Sequence, residues 1–600
     1  MTETTTRGPR AEVHTIARMS ARTAARCGER PASRHLVDGE WRETTYAETG
    51  AEIDAIARGL ISLGLQPGDR IGLLADTRRE WTLVGFAIAA AGCAVVPVYP
   101  TNSARECAWV LGDSGARAVV CEDPAQAGKI ASVTDQLPAL AHVITIDGNV
   151  GEAAELTLAQ LRERGTGAGP DALEARRAAV APEDIYTIIY TSGTTGPPKG
   201  VVLTHANAAA ACEMVRALAV LREDEVSYLF LPLAHVFAQS TVLASFELGT
   251  AIVYYGGDTR QILPELMATE PTYLPSVPRI FEKLYGAAMK MRAAGSEEER
   301  ARFDAAVRVG VQVRRLRERG EPVPGELAHA FEGAEESLYS RVRALFGGHL
   351  NQALSAAAPI AREILEFFYA CGVLVVEAWG MTETTALGTV CTPEHHRFGT
   401  VGRPAPGVEI RIAHDGEILV RGPNVFREYW NNPEATAATL VDGWLHTGDL
   451  GSIDDDGYLS ITGRKKDIII TAGGKNLTPA NLENDLKQSL FISQAVMHGD
   501  RRPYPVALIT LDAEEIVPWA RERGLSEDLA ELSRERQVVA LVQGVLDEAN
   551  AQYAQVEQIK RFAILQRDLT IDDGELTPTL KVKRAVVGER YADVLESLYA

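Results

Sequence analysis

Along the first two-thirds of the chain, short β-branched runs alternate with stretches of helical period. Thr44 to Leu63 repeats apolar residues at three- and four-residue intervals, which predicts an amphipathic helix, and Arg70 to Leu74 follows as a short strand. Trp81 to Ala91 predicts a helix and Ala94 to Tyr99 a strand halted by Pro100. Ala118 to Cys121 and His142 to Ile146 read as further strands. Leu158 to Ala181, rich in Arg, Gly and Ala, has no clean period and is expected to be a surface connection. It leads into Ile185-Tyr186-Thr187-Ile188-Ile189-Tyr190, an apolar run with the pattern of a buried strand. His205 to Val220 then predicts a helix, with strands at Tyr228 to Leu233, Ala251 to Tyr255 and Val373 to Glu377. Arg279 to Phe346 is charged and helix-prone, and a solvated helical insertion is expected over about residues 287–347. Strands alternating with helices predict an α/β fold.

From Val408 the pattern changes to short strands and tight turns. Asp415-Gly416 and the Asp454-to-Gly457 run are hairpin signals. Beyond Gly463 a compact α+β unit is expected, with a helix capped by Thr478 and opened by Pro479, and strands at Ala495 to Met497 and Val506 to Thr510. The boundary is placed at Lys466, dividing a large unit, 1–465, from a small one, 466–600. The first ten residues read as a disordered lead-in.

Six hundred residues exceed what one core supports, which fits two domains. The net charge of −21 argues against nucleic-acid binding, and it means that any anionic substrate must be held by a few local cations. Seven scattered cysteines without a C-x-x-C pair predict reduced thiols rather than zinc or disulfides. The chain shows no apolar run of transmembrane length and no apolar signal-peptide core at its start, so a cytoplasmic protein is expected. Peripheral contact at the inner face of the membrane and a homodimer both stay open.

The stretch Thr191 to Gly200, TSGTTGPPKG, follows the Ile185–Tyr190 strand directly. Gly193, Gly196 and Gly200 allow close backbone approach, and Ser192, Thr194, Thr195 and Lys199 add hydroxyls and an ammonium. Such a loop can cradle phosphate oxygens. It is not the common nucleotide P-loop, because Pro198 precedes Lys199 and Gly200 follows it.

Four more motifs follow in order: WGMTE (379–383), HTGDL (446–450), GRKKD (463–467) and LTPTLKVKR (576–584). The series closely resembles the adenylate-forming (AMP-binding) superfamily, and within it the bacterial long-chain fatty acid–CoA ligases. The narrower likeness rests on GRKKDIIITAGGKNLTP, PLAHVF and the insertion after residue 280. The resemblance implies a large multi-sheet N-terminal domain of the acyl-adenylate-forming type and a small mobile α+β C-terminal domain. It also implies a two-step reaction. A fatty carboxylate attacks the α-phosphate of ATP, giving acyl-AMP and pyrophosphate, and coenzyme A then takes the acyl group and releases AMP.

In that likeness Lys581 is the adenylation lysine, selected over Lys583 by alignment on the preceding T-P-T. Glu383, with Thr194, would hold Mg²⁺, a cation suited to oxygen ligands. His235 would line the carboxylate side of the acyl site. Thr191, Ser192, Gly193, Thr194, Thr195, Gly196 and Lys199 would hold phosphates, while Ala357, Trp379, Gly380 and Thr382 would belong to the same ATP/AMP site, Trp379 with its flat face to the adenine. Asp449 would bind the ribose hydroxyls and Arg464 ribose and phosphate. Lys466 would be the hinge, with Gly473 and Gly474 along the coenzyme A tunnel. Trp379 stands where the family usually has tyrosine, and Ala356-Ala357-Ala358 where it often has glycines. Phe237, Val242, Leu243 and Phe246 suit either an acyl tunnel or plain core. A ligase that loads a free-standing carrier protein, or one acting on medium-chain or other carboxylates, remains an alternative. A non-catalytic binding protein on this fold would not need Lys581, Glu383, Asp449 and Lys199 together.

Overall fold

The computed structural model describes residues 14–148, 153–167, 169–191, 197–472, 476–577 and 581–600. The expected lead-in falls almost wholly outside them, as do residues 192–196 and Gly473 and Gly474. The fold is α/β, with a large N-terminal and a small C-terminal domain. Three sheets build the large domain. The eight-stranded sheet has a parallel centre, where Ala94–Val98, Arg70–Leu74, Ala118–Cys121 and His142–Thr145 lie side by side. Its flank is antiparallel: Ile185–Thr191 pairs with Lys199–Thr204 and sets Thr191 opposite Lys199. The nine-stranded sheet is parallel through Ala251–Tyr254, Val226–Leu229, Tyr273–Ser276, Gln352–Ser355 and Leu374–Trp379. The third sheet is built on the two hairpins read from their Asp/Gly turns, Glu409–Ile412 with Glu417–Arg421 and Trp444–Ile453 with Leu459–Arg464, and Leu440–Val441 adds a short fifth strand beside Trp444–Ile453.

The helix Val236–Leu248 is apolar nearly all round, and such a helix must be buried. Val242, Leu243 and Phe246 join the largest core, where the Phe246 ring meets Phe86 at 4.2 Å and Tyr46 edge-on at 5.4 Å. These three side chains are core; Phe237 is only half-buried.

Two expectations are corrected. Residues 158–181 are not a surface connection but two helices, Leu158–Thr166 and Asp171–Ala179. Thr157 and Gln160 cap the first reciprocally. The helix packs so closely on Tyr46–Ser62 that a Cβ at Gly165 would lie 1.7 Å from the Ala55 carbonyl oxygen. Small residues make this contact, so no apolar period advertises it. Arg177, 2% exposed, is held by Asp54 and by Glu174 at 2.7 Å.

The insertion is likewise only partly solvated. Its helix Glu297–Glu318 buries just Gly310 and Val313. Its neighbours, however, send Phe281, Leu284, Phe331, Tyr339 and Phe346 into a core with Phe367 and Phe368 of helix Arg362–Cys371. A cavity of about 610 Å³ opens between these helices, over Tyr285, Phe303, Val307 and Phe367, away from the five motifs.

In the small domain, strands Ile492–His498, Val506–Leu511 and Arg561–Ile564 form one sheet. Helices Pro479–Lys487, Ala513–Arg521 and Arg536–Asn550 accompany it. Pro479 opens the first of these, with Thr478 at the cap position but no side-chain cap bond.

Candidate active site

WGMTE begins at the end of strand Leu374–Trp379 and continues into a tight turn, Thr382–Thr384. The turn folds back so closely that a Cβ at Gly380 would lie 2.0 Å from the Ala386 carbonyl oxygen, so only glycine fits. Thr385 and Ala386 adopt left-handed backbone, at φ 48° and 71°. Buried Asn424 clamps them: its side-chain Nδ2 donates to the Thr384 carbonyl at 2.8 Å, and its backbone carbonyl accepts from the Thr385 hydroxyl at 2.7 Å. Thr382 and Glu383 are buried as a result. Strain of this kind, about 1–3 kcal/mol per residue, persists where neighbours hold it, and it often marks a functional site.

Glu383 is linked to the glycine-rich stretch through Tyr429. The Tyr429 hydroxyl donates to Glu383 Oε1 at 2.7 Å, and the Lys199 ammonium sits 4.9 Å from the centre of the same ring. Burial raises the Glu383 pKa, and the Tyr429 hydroxyl, Arg464 and Lys199 oppose that rise. The stretch is anchored behind Lys199. The Trp430 amide donates to the Gly200 carbonyl at 2.7 Å, and the Trp109 indole donates to the Pro198 carbonyl at 3.1 Å.

His446, Thr447 and Gly448 of HTGDL help to aim Asp449. His446 Nδ1 lies 3.1 Å from Glu417 Oε2, and the Gly448 amide donates to Glu417 Oε1 at 2.9 Å. The Thr447 hydroxyl donates to the Ile418 carbonyl and accepts from the Asp449 amide. Gly448 takes the left-handed turn, φ 71°. Asp449, 4% exposed, then accepts Trp379 Nε1 at 2.9 Å on Oδ2 and is ion-paired on Oδ1 with Arg464, whose Nε lies 2.8 Å away. The indole that replaces the usual tyrosine therefore has a polar task of its own.

Lys581 projects into the same cleft from the small domain. Burial and the neighbouring Arg464 push its pKa down, while Asp449 pushes it up. The side chain keeps contact with solvent through the open cleft, which moderates the burial effect. His235, which begins helix Val236–Leu248, accepts the Phe237 amide on Nδ1 at 3.3 Å. That bond places the proton of the neutral ring on Nε2. Burial, reinforced by the Lys581 charge, takes the His235 pKa down to about 4, so the ring is neutral at pH 7. Ala357 stands in left-handed backbone, φ 72°, where glycine would be unstrained.

At GRKKD the chain is tied on both sides. Lys465 pairs with Asp415 at 2.6 Å and Glu417 at 3.1 Å, both in the large domain. Asp467 faces Arg584 of the small domain at 4.0 Å, and Arg584 donates to Glu483 at 2.7 Å. Lys466 lies exposed between these anchors.

The structure thus gathers Thr191, Lys199, Trp379, Gly380, Thr382, Glu383, Asp449, Arg464, Lys581 and His235 by contact or electrostatic influence. Ser192 to Gly196, Gly473 and Gly474 lie outside the described residues. Tyr429, Glu417 and Trp109 escape the sequence reading, because their role lies in contacts between distant segments and none belongs to a motif. Among the described residues no cluster of three or more His, Cys, Asp or Glu side chains could hold a metal ion alone. A buried single carboxylate such as Glu383 fits Mg²⁺ that takes its remaining ligands from phosphates and water.

A family model described as "AMP-binding enzyme" matches residues 21–430, and one described as "AMP-binding enzyme C-terminal domain" matches 466–600. The chain is 41% identical to a long-chain-fatty-acid–CoA ligase, FadD15, of Mycobacterium bovis over 94% of its length and 93% of that protein's. It is 31% identical to the peroxisomal long chain acyl-CoA synthetase 7 of Arabidopsis thaliana, over 94% and 82%. Among solved structures it is similar to a fatty acyl CoA synthetase of Mycobacterium tuberculosis, with a TM-score of 0.61 at 22% identity, covering 97% of this chain and 99% of that one.

Proposed function

Because the chain belongs to the AMP-binding enzyme family, we propose that it is an ATP-dependent long-chain fatty acid–CoA ligase. The observation that carries this reading is the meeting of Lys581, Arg464 and Trp379 around one buried carboxylate, Asp449, with His235 within electrostatic range of Lys581. The names of the relatives supply the long-chain acyl class.

In the first step a carboxylate oxygen attacks the α-phosphorus, and the bond to the oxygen bridging the β-phosphate breaks. Two anions must approach each other, so the barrier falls where cations are already fixed. Lys581 and Arg464 supply that charge. His235, neutral with its proton on Nε2, donates to the fatty carboxylate and orients it without neutralising the nucleophile. Asp449 receives the ribose hydroxyls on lone pairs left free by Trp379 and Arg464. Lys199, with the loop before it, holds the departing phosphates. Mg²⁺ at Glu383, Thr194 and the phosphate oxygens would offset phosphate charge.

In the second step the coenzyme A sulfur attacks the acyl carbonyl carbon, the bond to the AMP oxygen breaks, and the thiol proton passes to solvent. Lys581 blocks that approach while it occupies the cleft, so the small domain turns about Lys466 between the steps. No described helix is long and apolar enough to cross a membrane.

The test is pyrophosphate exchange. Fatty-acid-dependent exchange, followed by thioester formation on adding coenzyme A, is expected; absence of exchange would sink the ligase reading. Exchange without a coenzyme A thioester would redirect it to a carrier-protein acceptor.

A further inference from the structure

The helix Pro278–Ala294, which opens the insertion of the large domain, carries Arg279, Lys283, Gly286 and Lys290 at i, i+4, i+7 and i+11. That spacing puts all four on one face. The face meets the small domain, well away from the nucleotide motifs. Arg279 pairs with Asp512, Lys283 with Glu514 at 2.8 Å, and Lys290 with Glu515. The three acids lie at or just before the N-terminus of helix Ala513–Arg521, where the helix dipole favours negative charge. Asp512 also caps that helix through the Glu514 amide at 3.0 Å. Asp512 is therefore held in place by its own element independently of Arg279. Glu282 and Lys487 influence each other across the same seam, each opposing the pKa shift that burial imposes on the other.

Between the charged pairs lies a close apolar contact. A Cβ built on Gly286 would fall 2.1 Å from Leu490 Cδ2 and 2.9 Å from Leu490 Cγ. Leu490 thus seats in a notch that exists only because residue 286 has no side chain. Glycine in mid-helix is destabilising relative to alanine. At Gly286 it makes room for a contact with the other domain.

We propose that Arg279, Lys283, Gly286 and Lys290 form a docking face that holds the small domain in the orientation placing Lys581 in the cleft, and that this face must separate before the thioester step. The four are positioning residues: they act through Lys581 and touch no substrate. The proposal rests on the two-step ligase reading for its kinetic consequences, but the seam itself does not. Ion pairs with solvent-exposed cations are individually weak, so a seam of three can hold and still release on every turnover.

The decisive variant is Gly286→Ala, which improves the local helix and obstructs only the docking of Leu490. Acyl-AMP formation is expected to fall about ten-fold, the size of an overpacked contact, while thioester formation from supplied acyl-AMP stays at or above the wild-type rate. Adding Leu490→Ala reopens the space and restores adenylation. Lys283→Glu should slow adenylation at low salt, and pairing it with Glu514→Lys should recover it. Parallel loss in both half-reactions, or unchanged adenylation in Gly286→Ala, overturns the proposal. Hydrogen exchange read on residues 488–491 and 513–521 supplies a measure independent of activity. Faster exchange there in Gly286→Ala supports the seam, and unchanged exchange refutes it even if the wild-type chain proves to have no ligase activity.

Discussion

Trp379→Phe isolates the hydrogen bond from the indole to Asp449 in the proposed nucleotide site. The substitution keeps a flat ring in a position only 8% exposed and removes only the indole part that reaches Asp449. The lost bond is 2.9 Å long and ends on a buried carboxylate, where a charge-assisted hydrogen bond contributes about 1.5–3 kcal/mol. Arg464 still holds the other oxygen, and water from the open cleft can reach the vacated lone pair, so the lower figure applies. About 1.5 kcal/mol corresponds to roughly a ten-fold rise in the ATP KM, with kcat little changed, since ribose binding is felt equally in ground and transition states. The assay is pyrophosphate exchange across an ATP series at saturating fatty acid, alongside a thermal melt to show that the fold is intact. A double-mutant cycle supplies the control: with Asp449→Ala already present, Trp379→Phe should add almost nothing. An equal effect in both backgrounds would refute the reasoning, because the indole would then be acting through packing or stacking alone.

Lys581→Ala should lower acyl-AMP formation by at least 10²-fold, the scale set by removing a preorganised transition-state contact, and should leave thioester formation from supplied acyl-AMP largely intact; loss of both would refute its role. Lys466→Pro fixes φ between two anchored neighbours and should spare adenylation while impairing the thioester step; equal loss in both half-reactions would count against a pivot there. Glu377, 7% exposed with only the Gly399 amide to its carboxyl at 3.2 Å, has its pKa pushed up by burial to about 8. The folded state therefore binds more protons than the unfolded one between about pH 4.5 and 8, and stability falls as pH rises through that window. Glu377→Gln should remove this slope and gain up to roughly 4 kcal/mol above pH 8; urea midpoints of both proteins at pH 5 and pH 8.5 check it, and an unchanged difference between the two pH values would refute it.

What the sequence disclosed and what it hid follow a physical division. Strands such as Arg70–Leu74 and Ala118–Cys121 were legible to the residue because a parallel strand buried on both faces is apolar throughout. The motif residues were legible because phosphate, ribose and carboxylate chemistry restricts residue type at fixed spacing. Residues 158–179 were misread because their packing is made by Gly165 and Ala55, whose small side chains leave no period to detect. Tyr429 and Glu417 could not be found because each matters only through a partner far along the chain, Glu383 in one case and His446 in the other. The notch at Gly286 was invisible for the same reason: a mid-helix glycine reads as a flaw until Leu490 is seen to fill it.

Arg464 and Lys581 face the single carboxylate of Asp449, and Arg464 depresses the lysine's affinity for its proton. With Lys199 also close to Glu383, the cations of the cleft (Lys199, Arg464, Lys581) outnumber its carboxylates (Glu383, Asp449) by one, a surplus that resists the lysine's presence. A polyanionic nucleotide cancels this surplus, so ATP favours the arrangement with the lysine inside and has differential affinity for it. Once pyrophosphate has carried most of that negative charge away, the surplus returns. In the proposed cycle, the repulsion that ATP suppresses would then favour the lysine's exit before the thioester step.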